Sequence, residues 1–136
     1  MAFQWGSRSK QRMEGVNTLL IECATRALEV SEHDMTIPWM GGLRTAEQQK
    51  EIYDDGNSTL DGYDRKSYHQ TGLALDVIPV QGKYANDKAF RHFAGRMFSV
   101  WQVMIREGKT GNYLLEWGGH WQNFIDTPHW QIVDRS

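Results

Sequence analysis

The chain has 136 residues, a formal net charge of -2 and 24% charged residues, which is the size and polarity of a single globular domain. This charge balance argues against a protein that binds nucleic-acid phosphates or an anionic membrane surface. A single cysteine, Cys23, excludes an internal disulfide bond and is predicted to lie in the core. No apolar run is long enough for a membrane span, and no N-terminal segment has the pattern of a secretion signal.

The first part of the chain predicts a helix, a short strand and a second helix. Apolar residues at intervals of three and four predict a helix that is capped by Ser9 and runs to about Val30. Residues 35–40 have the composition of a short strand, and their proline favours an edge or an end of a sheet. Thr45 and Gln48 have the spacing of a capping box, which predicts that a second helix begins there.

The remainder predicts a surface loop, a third helix and further strands. Residues 54–66 are polar and indicate the loop, and residues 73–78 are typical of a strand. The third helix is predicted from about residue 86 to residue 108, and strands 113–117 and 129–133 follow it. Helices and strands in this order lack βαβ regularity, so we predict an α+β fold with a small, mainly antiparallel sheet.

Three side chains in the second half of the chain have the chemistry of zinc ligands. His69 lies before a predicted strand, Asp76 lies within it, and His129 begins the last strand. A catalytic zinc ion takes three ligands from His, Asp or Glu and leaves one position open. Gly72 allows the bend that would bring His69 and Asp76 together. The spacing alone is also compatible with ordinary polar residues that bind no metal. In addition, the HExxH motif of common zinc proteases is absent.

Asp126 has the position expected of a general base beside such a metal. It precedes His129 by three residues on the same short segment, across Pro128. A carboxylate at this distance is suited to take a proton from water without binding the metal itself. We therefore predict that Asp126 is a base rather than a ligand.

Separated segments of the chain resemble one known family. Residues 67–76, SYHQTGLALD, match every fixed position of the Ser-x-His-x-x-Gly-x-Ala-x-Asp motif of the D-alanyl-D-alanine carboxypeptidase (VanY-like) zinc peptidases. Residues 42–48, GLRTAEQ, resemble the family's Gly-x-Arg-Thr-x-x-Gln segment, and residues 126–129, DTPH, resemble its closing acid-x-x-His. The short length and the Trp-Gly-Gly at residues 117–119 resemble the phage endolysins that are L-alanyl-D-glutamate peptidases.

This resemblance implies a Hedgehog/DD-peptidase-like fold and a single catalytic domain over residues 1–136, without a separate cell-wall-binding domain. It implies one zinc ion per chain, with His69, Asp76 and His129 as its ligands. It makes Asp126 the catalytic base and Arg44 the residue that stabilises the oxyanion of the attacked carbonyl. An ordinary surface ion pair is the alternative role for Arg44.

Two further residues, Gln48 and Ser67, keep two interpretations each. Gln48 either binds substrate or only completes a helix cap. Ser67 either forms hydrogen bonds near the substrate or only caps a turn. His120 stands where relatives often have Asp, and we expect it to lie near the site without binding zinc.

The resemblance implies an endolysin, a zinc metallopeptidase that hydrolyses the peptidoglycan stem peptide at the L-alanyl-D-glutamate bond and so lyses the host cell. We expect a monomer without a nucleic-acid partner and without stable membrane association. Because no secretion signal is seen, we expect the protein to wait in the host cytoplasm until the membrane is permeabilised. The alternatives are a D-alanyl-D-alanine carboxypeptidase or dipeptidase, and a non-catalytic wall-binding module.

Overall fold

The structure is a computed structural model and describes residues 2–136. The helices are α1 (Ser7–Arg12), α2 (Thr18–Glu29), α3 (Ala46–Asp54) and α4 (Asp87–Arg106). The strands are β1 (Met35–Thr36), β2 (Ala74–Asp76), β3 (Ile78–Pro79), β4 (Tyr113–Trp117) and β5 (His129–Asp134). Among the described residues, none of the helices combines the length and the apolar character that a membrane crossing requires.

The strands form two small antiparallel sheets. One has three strands in the order β2-β5-β4, and the other pairs β1 with β3. The predicted α+β class with a small antiparallel sheet is therefore confirmed. In the larger sheet, the register places Asp76 of β2 directly opposite His129 of β5.

The core lies between the two long helices and the larger sheet. The apolar residues of α4 lie on one face, and Phe93, Met97 and Met104 on that face are almost completely buried. Leu20 of α2 and Ile132 of β5 are buried in the same cluster. Burying an aliphatic or aromatic side chain of this size contributes about 1.5–3 kcal/mol, so this cluster fixes the sheet against the helices.

The predicted first helix is wrong in one respect, because two helices replace it. Gly15 has a left-handed backbone conformation, with φ of +84°, which ends the helical path. Asn17 then begins α2, and its side chain accepts a hydrogen bond from the N–H of Leu19 at 2.9 Å. Ser9 does not cap a helix, since its buried hydroxyl lies 2.9 Å from that of Thr36.

Two predicted strands are shorter than expected, whereas the other elements after residue 40 are confirmed. Only Met35–Thr36 of the predicted strand 35–40 is extended, because the chain turns with the N–H of Gly41 donating to the carbonyl of Pro38 at 2.9 Å. The predicted strand 73–78 is interrupted at Val77, whose N–H donates to the carbonyl of Pro128 at 2.9 Å. That bond ties the end of β2 to the segment that leads into β5.

Candidate metal centre

The structure brings His69, Asp76 and His129 together at one end of the larger sheet. Each offers a ligand atom, and these atoms all lie within 4.8 Å of one another. Asp76 Oδ1 lies 3.2 Å from Nε2 of His69 and 3.4 Å from Nδ1 of His129. The pairing of β2 with β5 accounts for two of the three positions, because it sets Asp76 opposite His129.

A short 3₁₀ turn, Tyr68–Thr71, supplies the third position. Ser67 is buried, and its hydroxyl accepts a hydrogen bond from the N–H of His69 at 3.2 Å, so it caps this turn. Gly72 ends the turn with φ of +75°, and a Cβ there would overlap the carbonyl oxygen of Gly15. Glycine is therefore required both by the backbone angle and by the close approach. The capping role of Ser67 is observed, and its contact with substrate stays a prediction.

Ligand atoms in this cluster fit a metal ion better than they fit each other. Nδ1 of His69 lies 2.9 Å from the carbonyl oxygen of Gly42, which can only accept, so in the neutral ring Nδ1 carries the proton and Nε2 has a free lone pair. Nε2 of His69 and Oδ1 of Asp76 are buried without a hydrogen-bond partner. Buried polar atoms are rarely left unsatisfied, so facing lone pairs of this kind indicate a cation site.

Asp76 and His129 shift each other's pKa values. Burial alone would raise the pKa of Asp76, but His69 and His129 outweigh burial and hold this pKa well below its usual range. Burial lowers the pKa of His129, but the neighbouring carboxylate of Asp76 outweighs burial and raises this pKa above its ordinary value. Asp76 is therefore a carboxylate anion, the form in which it binds a metal.

Arg44 holds the other oxygen of the Asp76 carboxylate. Its Nη2 donates to Asp76 Oδ2 at 3.0 Å, its Nε donates to the carbonyl of Met40 at 2.7 Å, and its Nη1 donates to Gln49 Oε1 at 2.9 Å. Its side chain is only 11% exposed, so this is a buried ion pair and not the surface pair considered as the alternative. Stabilisation of an oxyanion by Arg44 stays a prediction.

Gln49 is a part of the site that sequence reasoning missed. It is fully buried, and its amide nitrogen donates to the hydroxyl of Ser58 at 3.1 Å and to the carbonyl of Leu60 at 2.9 Å. Its amide oxygen accepts from Arg44, so it ties the loop after α3 to the guanidinium. Only its place on the inward face of α3 distinguishes it from the neighbouring Gln48.

Asp126 lies beside the cluster and forms no part of it. Its backbone N–H donates to the carbonyl of Gly118 at 3.0 Å, and its carbonyl accepts from the N–H of His129 at 3.1 Å. Burial raises the pKa of Asp126, the negative charge of Asp76 raises it further, and the charge of His129 opposes both. A carboxyl with a raised pKa close to the ligands has the properties of a general base, and this role stays a prediction.

Two other predicted residues, Gln48 and His120, lie outside the cluster of His69, Asp76 and His129. Gln48 completes the capping box of α3, since its Oε1 accepts from the N–H of Thr45 at 2.9 Å, and its contact with substrate stays a prediction. His120 is exposed and stacks on Phe98 with ring centroids 5.5 Å apart, outside the cluster of three candidate ligands.

An apolar cavity adjoins the cluster. Its volume is about 390 Å³, and it is lined by Phe98, Leu115, Glu116, Trp117, His120 and Trp121. Trp117 is buried, and its ring nitrogen donates to the carbonyl of Thr127 at 2.8 Å, so it holds the segment between β4 and β5 in place. Trp121 is partly exposed and its ring centroid lies 5.0 Å from that of His129, so the cavity lies next to the candidate metal centre.

This chain is similar in sequence to several named peptidases. A protein from Escherichia phage T5 named L-alanyl-D-glutamate peptidase is 32% identical over 121 residues, which cover 89% of this chain and 83% of that protein. A Listeria phage A118 protein of the same name is 35% identical over 90 residues, which cover 66% of this chain but only 28% of that protein. The Bacillus subtilis peptidoglycan L-alanyl-D-glutamate endopeptidase is 31% identical over 99 residues, which cover 68% of this chain and 58% of that protein.

A solved structure and a family model complete the comparison. The crystal structure of a Serratia marcescens L-Ala D-Glu endopeptidase superposes with a TM-score of 0.76 at 25% identity, covering 93% of this chain and 87% of that one. The family model described as phage L-alanyl-D-glutamate peptidase matches residues 1–133. The chain therefore belongs to the phage L-alanyl-D-glutamate peptidase family.

Proposed function

We propose that this protein is a zinc-dependent peptidoglycan hydrolase that cleaves the L-alanyl-D-glutamate bond of the stem peptide. The observation that carries the proposal is the convergence of His69, Asp76 and His129, with buried lone pairs that no protein donor satisfies. Family membership supports the bond, because relatives in two phages and in Bacillus subtilis are named for it.

The donor set supports zinc as the metal. Two imidazole nitrogens and one carboxylate oxygen are ligands that zinc accepts, and a set of three leaves a position open, as in catalytic zinc sites. Zinc bound by these residues would polarise the scissile carbonyl and lower the pKa of the attacking water. Arg44 keeps Asp76 facing the two histidines, and so maintains the ligand geometry.

Asp126 and Arg44 supply the remaining chemistry in this mechanism. Asp126 accepts a proton from the attacking water and passes it to the nitrogen of the leaving amine as the peptide bond breaks. Its raised pKa suits both steps, because it can hold the proton between them. Each terminal nitrogen of Arg44 has two N–H groups and donates one bond within the protein, so donors remain for the oxyanion.

The experiment is digestion of purified peptidoglycan by the zinc-loaded protein, followed by mass spectrometry of the soluble fragments. Cleavage at the proposed bond leaves L-alanine on the glycan and creates a new N-terminal D-glutamate. Release of free D-alanine would instead indicate a carboxypeptidase, and binding without products would indicate a wall-binding module. Asp126→Ala is the inactive comparison, and Asp64→Ala, at an exposed loop position, is the matched control.

The cellular setting is a further part of the proposal. We infer that the protein acts as a monomer of one domain and reaches its substrate only after the host membrane is permeabilised. Cells that express it in the cytoplasm should then remain intact until the membrane is opened with chloroform, and should lyse afterwards. Lysis without permeabilisation would contradict this order, and sedimentation equilibrium would test the monomer.

A further inference from the structure

Nε2 of His129 begins a series of hydrogen bonds that leads out of the candidate metal centre. Nε2 of His129 lies 2.8 Å from Oε1 of Gln131, two residues along β5 and so on the same face of the strand. The amide nitrogen of Gln131 donates to Oε1 of Glu116 at 2.8 Å. Glu116 lies directly opposite Gln131 in the pairing of β4 with β5.

The chemistry of these three side chains determines which atom donates and which accepts in each hydrogen bond. A carboxylate can only accept, so Glu116 holds the NH₂ group of Gln131 and turns the amide oxygen towards His129. That oxygen can only accept in turn, so Nε2 of His129 must carry the ring proton. In the neutral ring, the lone pair is then on Nδ1, the atom that lies 3.4 Å from Oδ1 of Asp76 within the cluster.

We propose that Gln131 and Glu116 are positioning residues that hold His129 in the tautomer whose Nδ1 binds the metal. His69 has the opposite arrangement, because the carbonyl of Gly42 holds its Nδ1 proton and leaves Nε2 for the metal. One ligand is thus oriented by the backbone and the other by a pair of side chains. The inference rests on the proposed function in one respect, namely that the cluster binds zinc.

The tautomer is measured directly on the zinc-free protein. Long-range ¹H–¹⁵N spectra of the histidine rings distinguish a proton on Nε2 from one on Nδ1. We expect the neutral ring of His129 to carry its proton on Nε2 in the unmodified chain. In Glu116→Gln, the amide of Gln131 is free to turn, so a mixture with Nδ1 protonated should appear. An unmodified chain with the proton mainly on Nδ1 would overturn the proposal.

Zinc affinity is the second readout, measured by competition with a chromophoric chelator. Groups that hydrogen-bond to a metal ligand typically change metal affinity by about tenfold to a hundredfold. We expect a loss in this range for Gln131→Met, which keeps the side-chain length but removes the acceptor. The matched control is Gln102→Met on the exposed surface of α4, which should bind zinc as the unmodified chain does. Equal affinity in both variants would contradict a positioning role.

A double variant separates positioning from a general loss of structure. Gln131→Glu with Glu116→Gln exchanges the two groups, so that the carboxylate accepts from Nε2 of His129 and the amide donates to the carboxylate. Zinc affinity should return towards the unmodified value, whereas Glu116→Gln alone should remain weakened by about tenfold or more. A double variant that binds zinc as weakly as Gln131→Met does would refute the positioning role of Gln131 and Glu116. If the unmodified chain binds no zinc, the proposed function fails, and the metal-free tautomer spectra still decide this inference.

Discussion

The contact between Arg44 and Asp76 should govern both the stability of the protein and its hold on the metal. Arg44→Ala removes the ion pair to Asp76 Oδ2 at 3.0 Å and leaves Oε1 of Gln49 and the carbonyl of Met40 without their donor. The side chains of Arg44 and Asp76 are 11% and 16% exposed, so water replaces the lost donor poorly. Removing one partner of a buried pair typically costs about 3–5 kcal/mol.

We therefore expect Arg44→Ala to lower the free energy of unfolding of the zinc-free protein by about 3–5 kcal/mol. Urea denaturation followed by tryptophan fluorescence measures this change. Arg26→Ala is the control, because Arg26 also pairs with carboxylates, Glu22 and Glu107, but at the surface. Exposed pairs contribute little, so Arg26→Ala should shift the urea midpoint far less than Arg44→Ala does.

The same variant separates the observed contact from the predicted oxyanion role. If Arg44 only orients Asp76, Arg44→Ala should weaken zinc binding, and saturating zinc should restore kcat. If Arg44 also stabilises the oxyanion, kcat should stay at least about a hundredfold low in the zinc-saturated variant. An Arg44→Ala protein with unchanged urea midpoint and unchanged zinc affinity would refute the reasoning from burial and contact distance.

Other predictions follow from single residues. His69→Ala should abolish stoichiometric zinc binding and activity together, as measured by metal analysis and peptidoglycan digestion. Asp126→Ala should keep about one zinc per chain but lose about a hundredfold to ten-thousandfold in turnover, whereas loss of zinc would make Asp126 a ligand. His120→Asp should leave zinc content unchanged and shift turnover by less than about tenfold, since His120 stacks on Phe98 outside the cluster. Gly72→Ala should lower the thermal midpoint, because its Cβ would overlap a backbone carbonyl oxygen.

The sequence predicted the candidate ligands because their chemistry and spacing are local properties. His69 and Asp76 lie within one motif, and the glycine between them marks the bend that the structure shows at Gly72. His129 is 53 residues from Asp76, and only the pairing of β2 with β5 sets the two opposite each other. No periodicity in the chain encodes that register, so the resemblance supplied what the pattern lacked.

The prediction of a single first helix was wrong because an apolar repeat indicates which residues are buried and does not show whether the helix is continuous. Met13, Val16 and Leu20 are all buried, as the repeat predicted. However, α1 ends before Met13, and α2 begins after Val16. The break at Gly15 keeps both sides in contact with the same core. A repeat of this kind is compatible with one helix or two, and local backbone angles decide between them.

The polar residues that support the site are the hardest to predict, for a related reason. In β5, Trp130 and Ile132 point into the core, while His129 and Gln131 point to the opposite face. Alternation of this kind predicts a strand, and a polar face normally indicates solvent. Here that face meets Asp76 and Glu116 instead, and the amide of Gln131 is held between His129 and Glu116. Whether a polar strand face meets water or a functional site depends on the neighbouring strands, and no property of β5 alone contains that information.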